Sequence, residues 1–272
     1  MKVLVTGATG LVGARLLPRL VADGLDCRAV VRRAGSLPSG VTEVVADLFD
    51  TDSLGSAVDG VDAIIHLAAL FRTADTDLIW KTNLDGTRNL IRAVQQRTPH
   101  ARFIMASTAH VYGTDSARPG REDDTAAELP QAYPASKLAA ESVLRDSGLT
   151  WCIQRYGFVY GDQDGHLEAL PGHAVAAGMH PAARMSLIHH RDIATAMRLA
   201  LSGALDGQIV NITDDAPTSV YELVRAAGGD MQPSSEALPH PWHLQMDGSR
   251  ARRLGFRPTV RTIHHAVELG AL

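Results

Sequence analysis

A glycine-rich turn directly behind an apolar N-terminal run constrains the fold of this chain more than any other feature. The run is Lys2-Val3-Leu4-Val5-Thr6, and apolar residues recur at helical spacing over 11–22. In such a strand–turn–helix unit, Gly7 permits the tight turn, Gly10 allows a pyrophosphate to approach the backbone, and Gly13 allows the helix to pack closely on the strand. Free N–H groups at the helix N-terminus favour an anion. The sequence therefore predicts a dinucleotide-binding unit, against the alternative of a glycine turn without a ligand.

The end of the second predicted strand, Cys27–Arg33, indicates which dinucleotide is bound. An acidic residue about twenty positions after the glycines holds the ribose hydroxyls of NAD in such folds, and this chain has none at that place. Arg32 and Arg33 stand there instead, and arginines bind a 2′-phosphate through charge-assisted hydrogen bonds. We therefore expect NADP, in its reduced form NADPH. The alternative is a solvated arginine pair on a loop.

A second motif, Tyr133-Pro134-Ala135-Ser136-Lys137, carries residues for proton transfer. Residues four apart on a helix share a face, so the phenol and the ammonium point into the same cleft. A tyrosine titrates near 10 in water, and a neighbouring ammonium lowers that pKa toward the working range of an acid–base catalyst. Without a dinucleotide nearby, the same residues would be read as a helix N-terminus with Pro134 in its first turn and a solvated lysine.

Composition agrees with one water-soluble enzyme. The chain has 272 residues, 45% of them hydrophobic, and a formal net charge of -4. Lysine and arginine are scattered, so no electrostatic footprint for nucleic acid or for a membrane surface is expected. The apolar runs are strand-length and the glycine motif starts at residue 7, which predicts a cytoplasmic protein. Cys27 and Cys152 fall on different predicted strands and are expected to be free thiols.

Strand and helix patterns alternate along the chain, which predicts an α/β fold with a parallel sheet. Helices are expected over 86–97 and 133–145, and the third strand over 44–48. Beyond the sixth strand the pattern becomes irregular. We predict an NADP-binding Rossmann core formed by 1–161 and 188–213, with a small substrate-binding lobe formed by 162–187 and 214–272.

Together these motifs resemble the extended branch of the short-chain dehydrogenase/reductase superfamily, which includes the NAD-dependent epimerase/dehydratases and the dihydroflavonol-reductase-like ketone reductases. Four further segments carry the resemblance: His66-Leu67-Ala68-Ala69, Asn83-Leu84-Asp85-Gly86-Thr87, Ser107-Thr108-Ala109-His110-Val111-Tyr112-Gly113, and Arg155-Tyr156-Gly157-Phe158-Val159-Tyr160-Gly161. The resemblance implies a doubly wound parallel sheet with strand order 3-2-1-4-5-6-7. It also implies a homodimer, by analogy alone.

Residue roles follow from the resemblance. It implies that Tyr133 is the proton donor, that Lys137 lowers its pKa and binds the ribose, that Thr108 aligns the substrate oxygen, and that Asn83 steadies the helix and the water chain that feed Lys137. In addition to Tyr133 and Lys137, the expected cofactor-binding residues are Gly7, Thr9, Gly10, Leu11, Val12, Arg32, Arg33, Asp47, Leu48, Ala68, Ala69, Tyr156 and Phe158. Asp47 is expected at the adenine amino group, or else as the cap of the next turn.

One departure from the family pattern bears on the substrate. Many nucleotide-sugar enzymes carry an asparagine where this chain has Phe158, so a polar anchor becomes an apolar wall. The expected substrate-binding residues are Phe71, His110, Phe158 and Arg184. These features favour an NADPH-dependent reductase acting on a ketone or aldehyde of a largely apolar small molecule. The alternatives are a nucleotide-sugar epimerase or dehydratase and a non-catalytic NADP sensor. The twelve histidines lack the spacing of a zinc site, and no metal is expected.

Overall fold

The apolar run and the glycine turn fold into the expected strand and helix, β1 (Lys2–Thr6) and α1 (Leu11–Ala22). The structure is a computed structural model that describes residues 1–35, 37–124 and 129–272. The further strands are β2 (Asp26–Val31), β3 (Val41–Val45), β4 (Ala63–His66), β5 (Arg102–Thr108), β6 (Trp151–Tyr156), β7 (Phe158–Tyr160), β8 (Arg184–Met185), β9 (Leu187–His189), β10 (Gln208–Ile212) and β11 (Thr218–Ser219).

The further helices are α2 (Thr51–Val58), α3 (Thr76–Trp80), α4 (Gly86–Arg97), α5 (Ala132–Arg145), α6 (Leu170–Ala176), α7 (His190–Leu201), α8 (Val220–Ala226), α9 (Ser249–Arg253) and α10 (Ile263–Glu268). A π-helical turn, Lys81–Asp85, joins α3 to α4, and a 3₁₀ turn, Ala109–Val111, follows β5. The helix predicted over 86–97 is confirmed. Helix α5 begins one residue before its predicted start.

Seven strands form a parallel sheet in the order β3-β2-β1-β4-β5-β6-β10. The predicted order is confirmed, because β10 is the seventh strand of this sheet. The third strand was expected over 44–48 and lies at Val41–Val45, so that expectation was wrong. The reason lies in Asp47, whose side chain accepts a hydrogen bond from the Phe49 N–H at 2.9 Å and so turns the chain where the strand was expected to continue.

The chain divides into two compact units. The first consists of Met1–Val111, Leu129–Gln154 and Met197–Ile209, and the second of Tyr112–Glu128, Arg155–Ala196 and Val210–Leu272. Each unit has an apolar core of its own. Leu4, Ile64, Leu90 and Phe103 belong to that of the first, and Tyr160, Leu187, Leu223 and Ile263 to that of the second. The predicted division between core and lobe has other boundaries and stays a prediction.

Cys27 and Cys152 are free and buried, as expected. Burial raises the pKa of both thiols, Cys27 to about 11 and Cys152 to about 12. They are therefore protonated and poorly nucleophilic at neutral pH. Within the described parts of the chain, no helix combines the length and the apolar character needed to cross a bilayer.

Candidate active site

The carboxyl ends of the parallel strands bring four of the predicted segments to one edge of the sheet. Strand β1 ends before Gly7, β2 before Arg32, β4 before Leu67-Ala68, and β5 at Thr108. Ligands of doubly wound sheets bind outside this edge. All four segments belong to the first unit.

The three glycines of the turn differ in what surrounds them. Gly7 has a φ of +71°, and a Cβ there would lie 2.6 Å from the Ala68 nitrogen; at Gly13 a Cβ would lie 2.3 Å from the Gly7 oxygen. The protein's own packing therefore requires both glycines. Gly10 is exposed and has one neighbour within 4 Å of a Cβ, the Gly7 oxygen at 3.2 Å. It precedes α1 without a side-chain cap, which leaves N–H groups available to an anion.

The tip of β2 is basic and accessible. Arg32 and Arg33 are both exposed, and neither makes an ion pair or a side-chain hydrogen bond to any described residue. The only acid of β2, Asp26, lies at its opposite end. Beyond the end of β3, the Asp47 carboxylate accepts the Phe49 N–H within its own turn. Leu48 packs against Gly86, so closely that a Cβ added to this glycine would lie 3.1 Å from Leu48 Cδ1. The residues present fit a dinucleotide with an additional phosphate on the ribose.

The remaining predicted cofactor residues of this unit lie around the same turn. Thr9, Leu11 and Ala69 are exposed, Val12 and Ala68 are half-buried, and the Ala68 N–H donates to Thr6 Oγ1 at 3.3 Å.

Tyr133 and Lys137 lie one turn apart on α5, and the Thr108 hydroxyl at the end of β5 is hydrogen-bonded to the Tyr133 phenol. The Thr108 oxygen accepts from the His110 N–H at 3.2 Å, which leaves its hydrogen free to point at the phenol oxygen. Burial raises the pKa of Tyr133 to about 12, and the Thr108 bond acts in the opposite direction. In the chain alone the phenol is thus protonated, and the lowering expected from the lysine does not dominate.

Lys137 is buried, with 3% of its surface exposed. Burial lowers its pKa to about 8, and the carboxylate of Glu141, one turn further along α5, acts to raise it. The ammonium is therefore the major form at neutral pH by a margin of about one pH unit.

An aromatic cluster surrounds the phenol. The ring of Phe71 lies 4.3 Å from that of Tyr133, centroid to centroid, and 5.7 Å from that of His110. His110 meets Tyr133 edge to face at 6.3 Å. Phe71 is 47% exposed, so an apolar ring is presented to solvent directly beside the predicted proton donor. The structure thus brings together Phe71, His110 and the predicted catalytic residues.

Asn83 acts as a clamp within the π-helical turn. Its side chain accepts from the Leu70 N–H at 2.7 Å and donates to the Leu70 carbonyl and to Ser136 Oγ, both at 3.0 Å. Leu70 precedes Phe71, and Ser136 precedes Lys137. One buried amide therefore fixes both the aromatic cluster and the helix that carries Tyr133 and Lys137. π-turns inside helices frequently occur at functional sites.

A hydrogen-bonded chain that the sequence did not indicate supports this clamp. The Thr87 hydroxyl donates to the Asn83 carbonyl at 2.6 Å, so it accepts from His66 Nε2 at 2.8 Å. His66 Nδ1 then accepts from Thr6 Oγ1 at 2.7 Å. Burial lowers the pKa of His66 to about 3, with Lys137 adding to the effect. A neutral His66 with its proton on Nε2 satisfies every member of the chain.

The predicted residues of the second unit form their own arrangement. Phe158 stacks on His166 with centroids 4.2 Å apart, and the His166 N–H donates to Asp164, which also pairs with His190 at 2.7 Å. Tyr156 is buried, and Arg184 is exposed and donates to the Pro217 carbonyl at 3.2 Å. The assignments of Tyr156, Phe158 and Arg184 to cofactor or substrate stay predictions.

Comparison with known proteins identifies the family. The model of the NAD dependent epimerase/dehydratase family matches residues 3–213. The chain belongs to this family. It is 30% identical to a 3 beta-hydroxysteroid dehydrogenase/Delta 5-->4-isomerase of Mycobacterium tuberculosis, covering 92% of this chain and 73% of that protein. It is also 27% identical to a 4-hydroxy-2-methyl-3-oxo-4-farnesyl-3,4-dihydroquinoline-1-oxide ketoreductase of Stigmatella aurantiaca, covering 82% of this chain and 71% of the relative.

Among solved structures, the UDP-glucose 4-epimerase of Thermus thermophilus in complex with NAD is 27% identical, with a TM-score of 0.78 over 97% of this chain and 98% of the epimerase. The family assignment, the fold and these relatives establish an enzyme of the oxidoreductase or epimerase type with a nicotinamide cofactor. Its relatives act on small molecules. Among the described residues, no three histidine, cysteine, aspartate or glutamate side chains come together as metal ligands would.

Proposed function

We propose that this chain is an NADPH-dependent reductase that converts a ketone or aldehyde of a largely apolar small molecule into the alcohol, with Tyr133 as the proton donor. The observation that carries the proposal is the environment of the phenol. Tyr133 is hydrogen-bonded by Thr108 and flanked by the rings of Phe71 and His110, 4.3 Å and 6.3 Å away. An apolar ring system reaching this phenol would bury carbon against carbon, worth about 25 cal/mol per Å².

The protonation state of the site suits reduction. A proton donor must carry its proton at working pH, and burial raises the pKa of Tyr133 to about 12. The Thr108 hydroxyl aligns the substrate oxygen, and Tyr133 donates its proton to that oxygen. The Lys137 ammonium then stabilises the phenolate left behind. Bound NADPH would supply the hydride.

The cofactor preference rests on the tip of β2. Arg32 and Arg33 are exposed and without ion pairs among the described residues, so both guanidinium groups are available to a 2′-phosphate. No carboxylate follows β2 to accept hydrogen bonds from ribose hydroxyls. A cofactor consumed in each turnover fits the reduced NADP pool, whereas an epimerase regenerates its cofactor within the cycle.

The curated relatives support a redox reaction on a hydroxyl or carbonyl group. One is named as a 3 beta-hydroxysteroid dehydrogenase and another as a ketoreductase of a farnesylated dihydroquinoline oxide. Both names refer to compounds with a largely hydrocarbon ring or chain skeleton.

A nucleotide-sugar epimerase or dehydratase is the second candidate, and the likeness to UDP-glucose 4-epimerase favours it. The exposed Arg184 would then be the residue to contact the sugar nucleotide's phosphates. A non-catalytic NADP sensor is disfavoured by the presence of both Tyr133 and Lys137.

Two substrate panels distinguish these functions. In the first, cyclic and aromatic ketones are incubated with NADPH, whose absorbance is followed, and we expect steady oxidation that the Tyr133→Phe variant does not show. In the second, UDP- and dTDP-sugars are incubated and their products are separated by chromatography. Interconversion of sugars without net cofactor consumption would refute the reductase and establish the epimerase. NADPH binding without turnover in either panel would indicate a sensor.

A further inference from the structure

A buried carboxylate one turn beyond the catalytic lysine has no role in the function described so far. Glu141 lies on α5 with 2% of its surface exposed, four residues after Lys137, which is 3% exposed. Residues four apart on a helix are neighbours on one face. Ionisable side chains are almost never buried so completely unless they are paired.

Glu141 is held from the strand that carries Thr108. The Ser107 hydroxyl donates to Glu141 Oε1 at 2.5 Å, a distance typical of a hydrogen bond to a carboxylate. Ser107 immediately precedes Thr108 at the end of β5. This buried bond therefore joins the strand that carries Thr108 to the helix that carries Tyr133 and Lys137.

We propose that Glu141 is a positioning residue for the catalytic pair: its carboxylate, fixed by Ser107, keeps the buried Lys137 side chain in its ammonium form. The inference rests on the role proposed for Lys137 in the active site. It concerns the charge state of that lysine and holds for any substrate.

The charges around Lys137 leave this task to Glu141. His66, from β4, is neutral because burial lowers its pKa to about 3, and its effect on Lys137 is repulsive when charged. On α5 itself Tyr133 is a neutral phenol, and from the 3₁₀ turn His110 faces that phenol's ring. Burial works against the ammonium, and Glu141 is the group that works for it.

The pKa of Lys137 lies close enough to neutral pH for one neighbouring charge to decide its protonation state. Lys137 has a pKa of about 8 with Glu141 present. Residues four apart on a helix have Cβ atoms roughly 5–6 Å apart. An opposite charge within about 4–6 Å shifts a pKa by about 1–3 units. Without the carboxylate, the pKa would fall to or below neutrality, and the ammonium fraction at pH 7 would drop by roughly tenfold for a shift of about two units.

The experiment measures the lysine directly. The chain has only three lysines, Lys2, Lys81 and Lys137, so protein labelled with ¹³C and ¹⁵N in lysine gives three side-chain signals. These are assigned with Lys2→Arg, Lys81→Arg and Lys137→Met and followed from pH 5 to 11. In Glu141→Gln, which keeps the shape and an acceptor for Ser107, we expect the Lys137 midpoint to fall by at least about one pH unit.

Two further variants serve as controls, and a third replaces Glu141→Gln if that variant does not fold. Asp146→Asn removes a negative charge from the exposed end of the same helix and should leave the Lys137 midpoint within about 0.3 unit. Glu141→Asp retains the charge and should restore most of the wild-type midpoint. If Glu141→Gln does not fold, the double variant Ser107→Ala/Glu141→Met, which removes both polar partners together, carries the same prediction.

An unchanged Lys137 midpoint in Glu141→Gln, or in the double variant, would overturn the proposal. The NMR titration needs no substrate, so a wild-type protein that reduces no carbonyl would refute the proposed function without touching this result. Where turnover is measurable, the alkaline limb of kcat/KM should move to lower pH by the same amount as the lysine midpoint, a shift that a merely structural role would not produce.

Discussion

Replacing Asn83 by alanine should destabilise the protein and misplace its catalytic groups together. The substitution removes three hydrogen bonds, two to the backbone of Leu70 and one to Ser136 Oγ. Asn83 is 1% exposed, so water cannot readily replace it. Because Leu70 leads into Phe71 and Ser136 leads into Lys137, the aromatic cluster and helix α5 lose the same support.

The magnitude follows from the number of bonds. A hydrogen bond contributes about 0.5–1.5 kcal/mol net, so three give roughly 3 kcal/mol. For a chain of this size that corresponds to a fall in Tm of about 6–12 °C, at about 2–4 °C per kcal/mol. Asn89→Ala is the matched control. Asn89 lies on the adjoining α4 and makes one such bond, to the Leu48 carbonyl at 2.9 Å, so its loss should lower Tm by about 2–4 °C.

Thermal unfolding followed by circular dichroism compares the two variants, with kcat and KM measured on the ketone panel. We expect Asn83→Ala to lower kcat and Asn89→Ala to leave it near the wild-type value. Asn83→Asp, which turns a carboxylate oxygen toward the Leu70 carbonyl at a buried position, should be at least as unstable as alanine. Equal losses of Tm in Asn83→Ala and Asn89→Ala would refute the idea that Asn83 is a clamp.

Three further predictions follow from the site. Tyr133→Phe should retain the fold and cofactor affinity and lower turnover at least ~10²-fold; normal turnover would place the proton donor elsewhere. Arg32→Ala should reduce the preference for NADPH over NADH by about 1–3 kcal/mol, measured by fluorescence titration; equal affinities of the wild type for both cofactors would contradict the assignment. Since burial lowers the pKa of His66 from 6.5 to about 3, the unfolded chain binds the extra proton below pH 6.5. The free energy of unfolding should therefore decrease as the pH is lowered from 6.5 to about 3, by up to about 1.4 kcal/mol per pH unit. His66→Asn should flatten that slope in urea titrations.

The sequence predicted the fold well because its strongest signals are local. The glycine turn after β1, and the apolar spacing of Leu90, Ile91 and Val94 on α4, fix a strand–turn–helix unit and a buried face without reference to the rest of the chain. The end of the third strand was placed wrongly because apolar character continues through Ala46 and Leu48. A side-chain bond of Asp47 ends the strand there, and hydropathy does not register it.

The apolar spacing of α5 predicts only part of its buried face. The apolar pattern points to Leu138, Val143 and Leu144, and of these only Leu144 is fully buried. The helix also turns Lys137 and Glu141 inward. Hydrophobic periodicity assumes that charges face solvent, and a helix that buries two ionisable side chains violates that assumption. The only sequence signal for this pair is a glutamate four residues after a lysine. The same spacing on a surface helix indicates an ordinary solvated pair, so it does not predict burial.

The hydrogen-bonded chain through His66 shows why polar positioning residues escape prediction from sequence. Its members come from β1, β4 and α4, and their order becomes apparent only when the strands lie side by side. In the folded protein these hydrogen bonds have one donor-to-acceptor order. The Thr87 hydroxyl donates to the Asn83 carbonyl, and this bond determines which group donates in each of the others. A charged His66 would break this order and place a second positive charge near Lys137. The burial that keeps His66 neutral therefore has two consequences. It holds Asn83 in place, and it leaves Glu141 as the carboxylate that sets the charge of Lys137.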